Sequence, residues 1–214
     1  MAYSRVPKSW SYSKWGNYKT CPFQYKCKAI DRVKEPPNRH MDRGISVHAK
    51  AENFLLGNIT GMPKELSKFA KDFRQIRRDG ATAEEPVCFT KDWKETYFKD
   101  WDNGWLRAKY DAEILDIPIV NVIDFKTGKI YTSHEEQQEI YSVMEFSKHE
   151  EAETVITEMW YLDSGDLTSI EYKRKDFPAF RQKWEDRGKR MLSAKKFPKN
   201  EGDHCRWCSF SKSK

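Results

Sequence analysis

The stretch Val120-Asn121-Val122-Ile123-Asp124-Phe125-Lys126 is rich in β-branched residues and reads as a strand, whose side chains alternate between two faces. Asp124 and Lys126, two positions apart, therefore share a face. Just upstream, Asp116-Ile117-Pro118 is a tight turn, and Leu106 to Leu115 before it is a second strand, so the two segments form a hairpin with Ile119 to Lys126. With the turn centred near Ile117, residues whose numbers sum to about 234 lie opposite each other. Asp111 is then across from Ile123 or Asp124, and two carboxylates and an ammonium group converge. Like charges at that distance repel, and a solvent-poor site holding both acids ionised needs a cation. Oxygen ligands of this kind suit Mg²⁺ or Mn²⁺. The same residues also fit a wet sheet face on which Lys126 is an ordinary ion-pair partner.

Outward from the hairpin the chain alternates between helical and extended patterns. Ser11 to Ile30 is aromatic and basic by turns, two short helices interrupted at Cys21-Pro22, and a linker with Pro36-Pro37 follows. The spacing predicts a helix from Gly44 to Leu56 and a second opened by Pro63, through Phe69, Phe73 and Ile76, ending at Gly80. Pro86 to Thr90 is a further strand. Ser133 to Lys148 is helical, Thr154 to Leu162 and Leu167 to Arg174 are a strand pair around Ser164-Gly165, and Phe177 to Ala194 is a long basic helix. No repeat or long linker divides this order. It predicts one α/β domain with a small central mixed β-sheet flanked by helices. Within it, residues 1–43 form a basic aromatic segment, 44–175 the core and 176–214 the basic helix and a C-terminal cysteine pair.

Composition narrows the class. Charged residues make up 34% of the 214, but aromatics reach 14% with eight Trp, which excludes a disordered chain. No apolar run approaches the length that crosses a bilayer, and Met1 to Trp10 lacks the hydrophobic core of a signal peptide. A soluble, cytoplasmic protein of a bacterial or phage-infected cell is expected. The net charge of +6 is unevenly spread: residues 1–50 and 173–199 each carry +8, and 51–172 carry −11. Two basic ends around an acidic middle suggest a polyanion partner, although solvated helix faces would show the same charges.

Two further pairs sit at helical spacing. His48 and Glu52, four apart, share a face, as do Gln137 and Tyr141. An amide and a phenol can hold a phosphate backbone; a plain helix edge would look the same. Taken in order, GISVH (44–48), YDAE around Asp111, IDFKTGK (123–129) and QQEIY (137–141) resemble the PD-(D/E)xK nuclease superfamily in its RecB-like, phage-exonuclease branch. Tyr110 stands where the proline of the family name would be, a position that varies in the family.

The resemblance implies a restriction-endonuclease-like core and hydrolysis of phosphodiester bonds. Asp111, Asp124, the Phe125 carbonyl and His48 would hold one or two Mg²⁺ or Mn²⁺ ions against the scissile phosphate. Lys126 would orient or deprotonate the attacking water, and Gln137 and Tyr141 would contact the DNA. Glu52 and Glu113 are weaker candidates. Glu113 shares a strand face with Asp111 but also continues the alternation of any half-exposed strand.

The five cysteines, an odd number, do not form a disulfide framework. Cys205-Arg206-Trp207-Cys208 with Cys21-Pro22 resembles the iron-sulfur module of some RecB-like nucleases, in which one early cysteine joins three late ones. Here three are in register, Cys21, Cys205 and Cys208, and Lys214 stands where the fourth would fall. An iron-sulfur cluster or zinc completed by Cys27 or His204 is one reading, and a metal-free packed remnant is the other. Cys88, in a strand, is expected to be a buried small apolar residue.

These features predict a Mg-dependent exonuclease acting on single- or double-stranded DNA ends in recombination, repair or phage replication. A recombination partner protein and a homo-oligomer are both compatible with it. The alternatives are an iron-sulfur nuclease of the CRISPR adaptation type, trimming DNA, and a catalytically silent nucleic-acid-binding protein of the same fold.

Overall fold

The computed structural model of the chain describes residues 7–83 and 85–211; Lys214 and the first six residues of the expected non-signal N-terminus lie outside them. Helix α1 (Tyr12–Thr20) is capped by Ser11, whose hydroxyl accepts the Lys14 N–H. Helix α2 (Pro22–Tyr25) starts on proline, where a missing N–H costs nothing, and continues as a π-helical turn over Lys26–Ile30. Helix α3 (Arg39–Leu55) begins before the expected Gly44, because the Asn38 side chain accepts the N–H groups of His40 and Met41 at 3.0 and 3.4 Å. A 3₁₀ turn, Lys64–Phe69, leads into α4 (Ala70–Arg78), beyond which Gly80 turns the chain at φ +77°.

Six strands follow: β1 (Thr82–Ala83), β2 (Pro86–Phe89), β3 (Glu95–Thr96), β4 (Leu106–Lys109), β5 (Ala112–Asp116) and β6 (Ile119–Lys126). Then come α5 (Ser133–Lys148), the hairpin β7 (Thr154–Tyr161) and β8 (Asp166–Lys173), and α6 (Phe177–Leu192). A last 3₁₀ turn covers Asp203–Trp207. The main sheet is mixed, in the order β1-β5-β6-β7-β8. Its one parallel pair, β6 with β7, is joined by the α5 crossover that parallel strands require.

The expected strand Leu106 to Leu115 is in fact two strands in two sheets. β4 belongs to a separate sheet in the order β3-β2-β4, and β5 pairs with β6 in the main one. The chain leaves one ladder and joins the other at Tyr110 and Asp111. Both side chains at this joint are engaged elsewhere: the buried Tyr110 ring meets the Tyr141 ring edge-on at 5.1 Å, and the Asp111 carboxylate accepts the Phe125 N–H at 2.6 Å.

Period two along β6 sorts the core into two halves. Val120 and Val122 point to the side of α5, into a cluster with Ile140, Tyr141, Val155 and Trp184. Ile123 and Phe125 point the other way, toward Val47 and Phe54 of α3 and Phe73 of α4. Phe73 and Phe125 stand 4.9 Å apart, and Phe69 stacks on Trp160 at 5.0 Å. The result is an α/β domain with a mixed five-stranded sheet between helices. Trp10 ties the small sheet to this body: its backbone brackets β4 through Trp105 and Arg107, while its ring stacks on Trp184 of α6 at 6.0 Å. Gly188 permits that approach, since a Cβ there would stand 2.7 Å from the Trp10 and Trp105 rings. Cys88 is fully buried, as expected. Among the described residues no helix is long and apolar enough to cross a membrane.

Candidate active site

In the hairpin register Ala112 faces Ile123, so the next position outward sets Asp111 beside Asp124. Asp124 and Lys126 share the α5 side of β6, and the Lys126 ammonium lies 2.6 Å from Asp124 Oδ2. The other Asp124 oxygen accepts the Tyr141 hydroxyl at 2.8 Å and the Gln137 amide at 3.0 Å. Gln137 in turn accepts a bond from Lys126 at 2.9 Å, and its amide donates to the Tyr141 oxygen at 2.6 Å. The helical spacing of Gln137 and Tyr141 on α5 thus brings an amide and a phenol down onto the acid and the lysine. Across the strand, His48 of α3 meets Asp111 Oδ1 through Nδ1 at 2.7 Å.

Both acids are nearly buried, Asp111 at 8% exposure and Asp124 at 5%. Burial first, and the charge of Asp124 second, push the Asp111 carboxyl up from its ordinary value, against the opposing pull of His48 and the Phe125 N–H. Burial pulls His48 down, but its bond to Asp111 and the charges of Asp111 and Asp124 outweigh this and leave it raised. Burial and both acids hold the Tyr141 phenol well above its usual range, so it is a neutral donor. Asp124 Oδ2 is fully buried and has no properly oriented hydrogen bond; the Lys126 ammonium is the charge beside it. A pair of repelling buried carboxylates, an under-satisfied oxygen and an imidazole make a donor set that a divalent oxygen-seeking ion fits.

Glu113 does not join this group. It is buried and accepts two bonds from Lys148, both at 2.9 Å, with His149 at 3.5 Å. Glu145 lies against it, and both of its oxygens are buried without hydrogen bonds. Burial and the charge of Glu113 drive the Glu145 carboxyl well above 4.5. Glu113, Glu145 and His149 place three ligand atoms within 4.8 Å of one another, a trio that could hold a divalent ion. It is the one such group among the described residues, and His48, Asp111 and Asp124 stand wider apart than this. The sequence reading missed the trio, although α5 carries its signal: Gln137, Tyr141, Glu145 and Lys148 fall three or four apart along one helical face. Glu52 is half-buried and forms no side-chain ion pair among the described residues.

The three cysteines in register do meet. Cys21, Cys205, Cys208 and His204 line one cavity of about 350 Å³. Asn200 points its N–H at the Cys21 sulfur at 3.4 Å, and Cys205 lies 3.8 Å from His204 Nε2. Cys27 is buried nearby, its thiol pushed up by burial first and by Asp31, with Cys208 and Cys21 adding. All five cysteines are free thiols.

An acid-acid-lysine hairpin facing a helix that follows it is one arrangement among many in α/β sheets, and comparison with known proteins places it. A crystal structure described as "Putative exonuclease" from Eubacterium rectale superposes with a TM-score of 0.56 at 12% identity, covering 97% of this chain and 92% of that one. The crystal structure of SSO0001 gives 0.48 at 19% identity, covering 95% and 84%. The first of these establishes the fold. No curated protein matches the sequence. The family model of the PD-(D/E)XK nuclease superfamily matches residues 9–116 and 84–213, nearly the whole chain. On that match, the chain belongs to the PD-(D/E)XK nuclease superfamily.

Proposed function

We propose that this protein is a metal-dependent exonuclease that hydrolyses DNA from its ends. One observation carries the reading: two buried aspartates meet across the β5–β6 register, with Lys126 at 2.6 Å from the second. Superfamily membership implies a nucleic-acid substrate, and the likeness to a protein described as an exonuclease supports action at ends.

Asp111, Asp124, the Phe125 carbonyl and His48 would hold Mg²⁺ or Mn²⁺. A divalent ion bound there supplies charge stabilisation on the scissile phosphate and lowers the pKa of a bound water. The chain does the rest. The Lys126 ammonium, held by Gln137, which accepts one of its N–H bonds, orients the attacking water; in its neutral form, lacking that third proton, the same amine would accept the water's proton. Tyr141 and Gln137 hold Asp124 Oδ1 while Lys126 stands beside Oδ2, which fixes the orientation of the carboxylate. To contact the phosphate backbone, Gln137 and Tyr141 would exchange those bonds as substrate enters. The basic N-terminal helices and α6 draw the polyanion in.

The test is digestion of end-labelled single- and double-stranded DNA with Mg²⁺, alongside a covalently closed circle. Linear DNA should be degraded and the circle spared, with Asp124→Asn and Lys126→Ala inactive but folded. Efficient cutting of the circle would make the enzyme an endonuclease, and undiminished rates in either variant would remove the site assignment. The cysteine-lined cavity favours a second reading, an iron-sulfur nuclease of the CRISPR adaptation type. Brown protein with visible absorbance that fades on reduction or air exposure would support it, and a colourless active enzyme would not.

A further inference from the structure

A second cavity, of about 780 Å³, opens between the start of α1, the π-helical turn and the small sheet. Lys8, Lys14, Lys28, Arg32 and Arg107 line it, together with Trp101. Asp102 is the one carboxylate among its described lining residues, contacting Lys8 at 3.5 Å, while Lys28 is paired with Glu35 at 2.8 Å. Neither Lys14 nor Arg32 has a carboxylate within ion-pair distance among the described residues; the Lys14 ammonium bonds only the Ser9 carbonyl, at 3.0 Å. Burial, and then the neighbouring Arg107 and Arg32, pull the Lys14 ammonium down. Cations gathered without counter-charges are unfavourable unless an anion joins them.

The tryptophan is presented deliberately by the chain around it. Trp101 is 66% exposed, which is costly for an indole, yet its loop is tightly built. Asp100 accepts the N–H groups of Asp102 and Asn103 and the Thr96 hydroxyl. Arg107 donates to the carbonyls of Phe98 and Asp100 and lies over the indole at 4.7 Å. Gly104 makes room for that guanidinium, since a Cβ there would stand 2.5 Å from it. Arg32, also in the lining, takes a left-handed backbone at φ +53°, a conformation that a long side chain adopts at a cost.

We propose that this cavity is an accessory site for a single nucleic-acid strand, in which an unpaired base stacks on Trp101 and its backbone phosphate is held by Lys14 and Arg32. The inference rests on the nuclease reading and extends it away from the acids. From Arg107 the chain runs through the end of β4 to Asp111, four residues that span at most about 13 Å. A strand cut at the acids would need only a few nucleotides to reach the cavity.

Binding of labelled oligo-dT to the intact protein in chelator, where no hydrolysis occurs, tests it. For a 12-mer, Trp101→Ala should weaken binding by about 5- to 150-fold, the range for one lost stacked base. Arg32→Asn, which suits the left-handed backbone, should lower the slope of log affinity against log salt by about 0.7, one phosphate contact on a single strand. A dinucleotide, which offers the cavity a base and a phosphate but cannot also reach the acids, should bind more weakly than the 12-mer and still lose affinity in Trp101→Ala. Unchanged 12-mer affinity and slope would overturn the site, as would displacement of the 12-mer by millimolar inorganic phosphate, which would make it a small-anion pocket. If the variants bind normally while linear DNA is still degraded, the cavity assignment fails and the nuclease reading stands. If Trp101-dependent binding persists in a protein that cleaves nothing with Mg²⁺ or Mn²⁺, the nuclease reading fails and a strand-binding site remains.

Discussion

Tyr141→Phe isolates a single bond at the centre of the site. The ring is buried and edge-on to Tyr110 at 5.1 Å, so phenylalanine keeps the packing and removes only the hydroxyl. That hydroxyl donates to Asp124 Oδ1 at 2.8 Å, a hydrogen bond to a charged group worth about 1.5–3 kcal/mol. At about 1.36 kcal/mol per tenfold, its loss corresponds to roughly 10- to 150-fold, and metal ligands that lose an outer partner weaken by a similar 10- to 100-fold. Gln137 still holds the carboxylate from one side, so the acid stays in place but loosely. The expected result is a half-saturating Mg²⁺ concentration raised about 10- to 100-fold in the digestion of end-labelled DNA, with the urea midpoint lowered by no more than the same bond, about 1.5–3 kcal/mol. A variant with the wild-type metal dependence and a rate within about twofold would show that the hydroxyl does not position a metal ligand, and the role given to Asp124 would fall with it.

Three other outcomes follow from the same geometry. Against the pull of burial, the bond to Asp111 and the charges of both acids raise His48 above the ordinary imidazole value, and it must lose its proton to bind an ion, so metal affinity should rise as pH climbs above about 6.5; a flat profile, or one unaltered by His48→Gln, refutes this. Glu145 is held neutral in the fold while the unfolded chain ionises near 4.5, so native stability should fall as pH rises from there toward the folded value. Glu145→Gln should flatten that decline in urea midpoints, and parallel curves for the two proteins would contradict it; added Mn²⁺ should stabilise wild type more than the variant if the Glu113 trio takes an ion. Gly188→Ala drives a methyl to 2.7 Å from two tryptophans, an overpacking cost of about 1–3 kcal/mol. At roughly 2–4 °C per kcal/mol for a chain of this size, thermal melting should show a loss of about 2–12 °C, and an unchanged midpoint would mean that the indoles yield freely.

Much of the fold was legible because its signals are local. The alternation in residues 119–126 and the turn at Ile117 set the hairpin, and the observed register, Ala112 opposite Ile123, falls within one residue of that expectation. The helix Ser133–Lys148 and the pair β7–β8 follow their patterns closely. The division of Leu106 to Leu115 was not legible, because the alternation runs on unbroken and only long-range partners, Phe125 and Tyr141, decide where the ladder changes. The early start of α3 was legible in principle, from Asn38 as a cap. At the site, Asp124 and Lys126 could be paired from spacing alone, whereas Glu113 with Glu145 and His149 required knowing which face of α5 lies on β5. The cysteines lie at the two ends of the sequence, so no local pattern joins them; the resemblance to the iron-sulfur module grouped Cys21, Cys205 and Cys208, and the fold brings them to one cavity.

The step at Tyr110–Asp111, where one sheet hands over to the other, also has a mechanical meaning. The peptide that carries Asp111 is shared by the ends of two ladders, so its position is fixed from both sides: by β4, which Trp10 braces against α6, and by β5 in the main sheet. A substitution that loosens the brace at Trp10 is therefore felt at the carboxylate through rigid backbone rather than through any contact of its own.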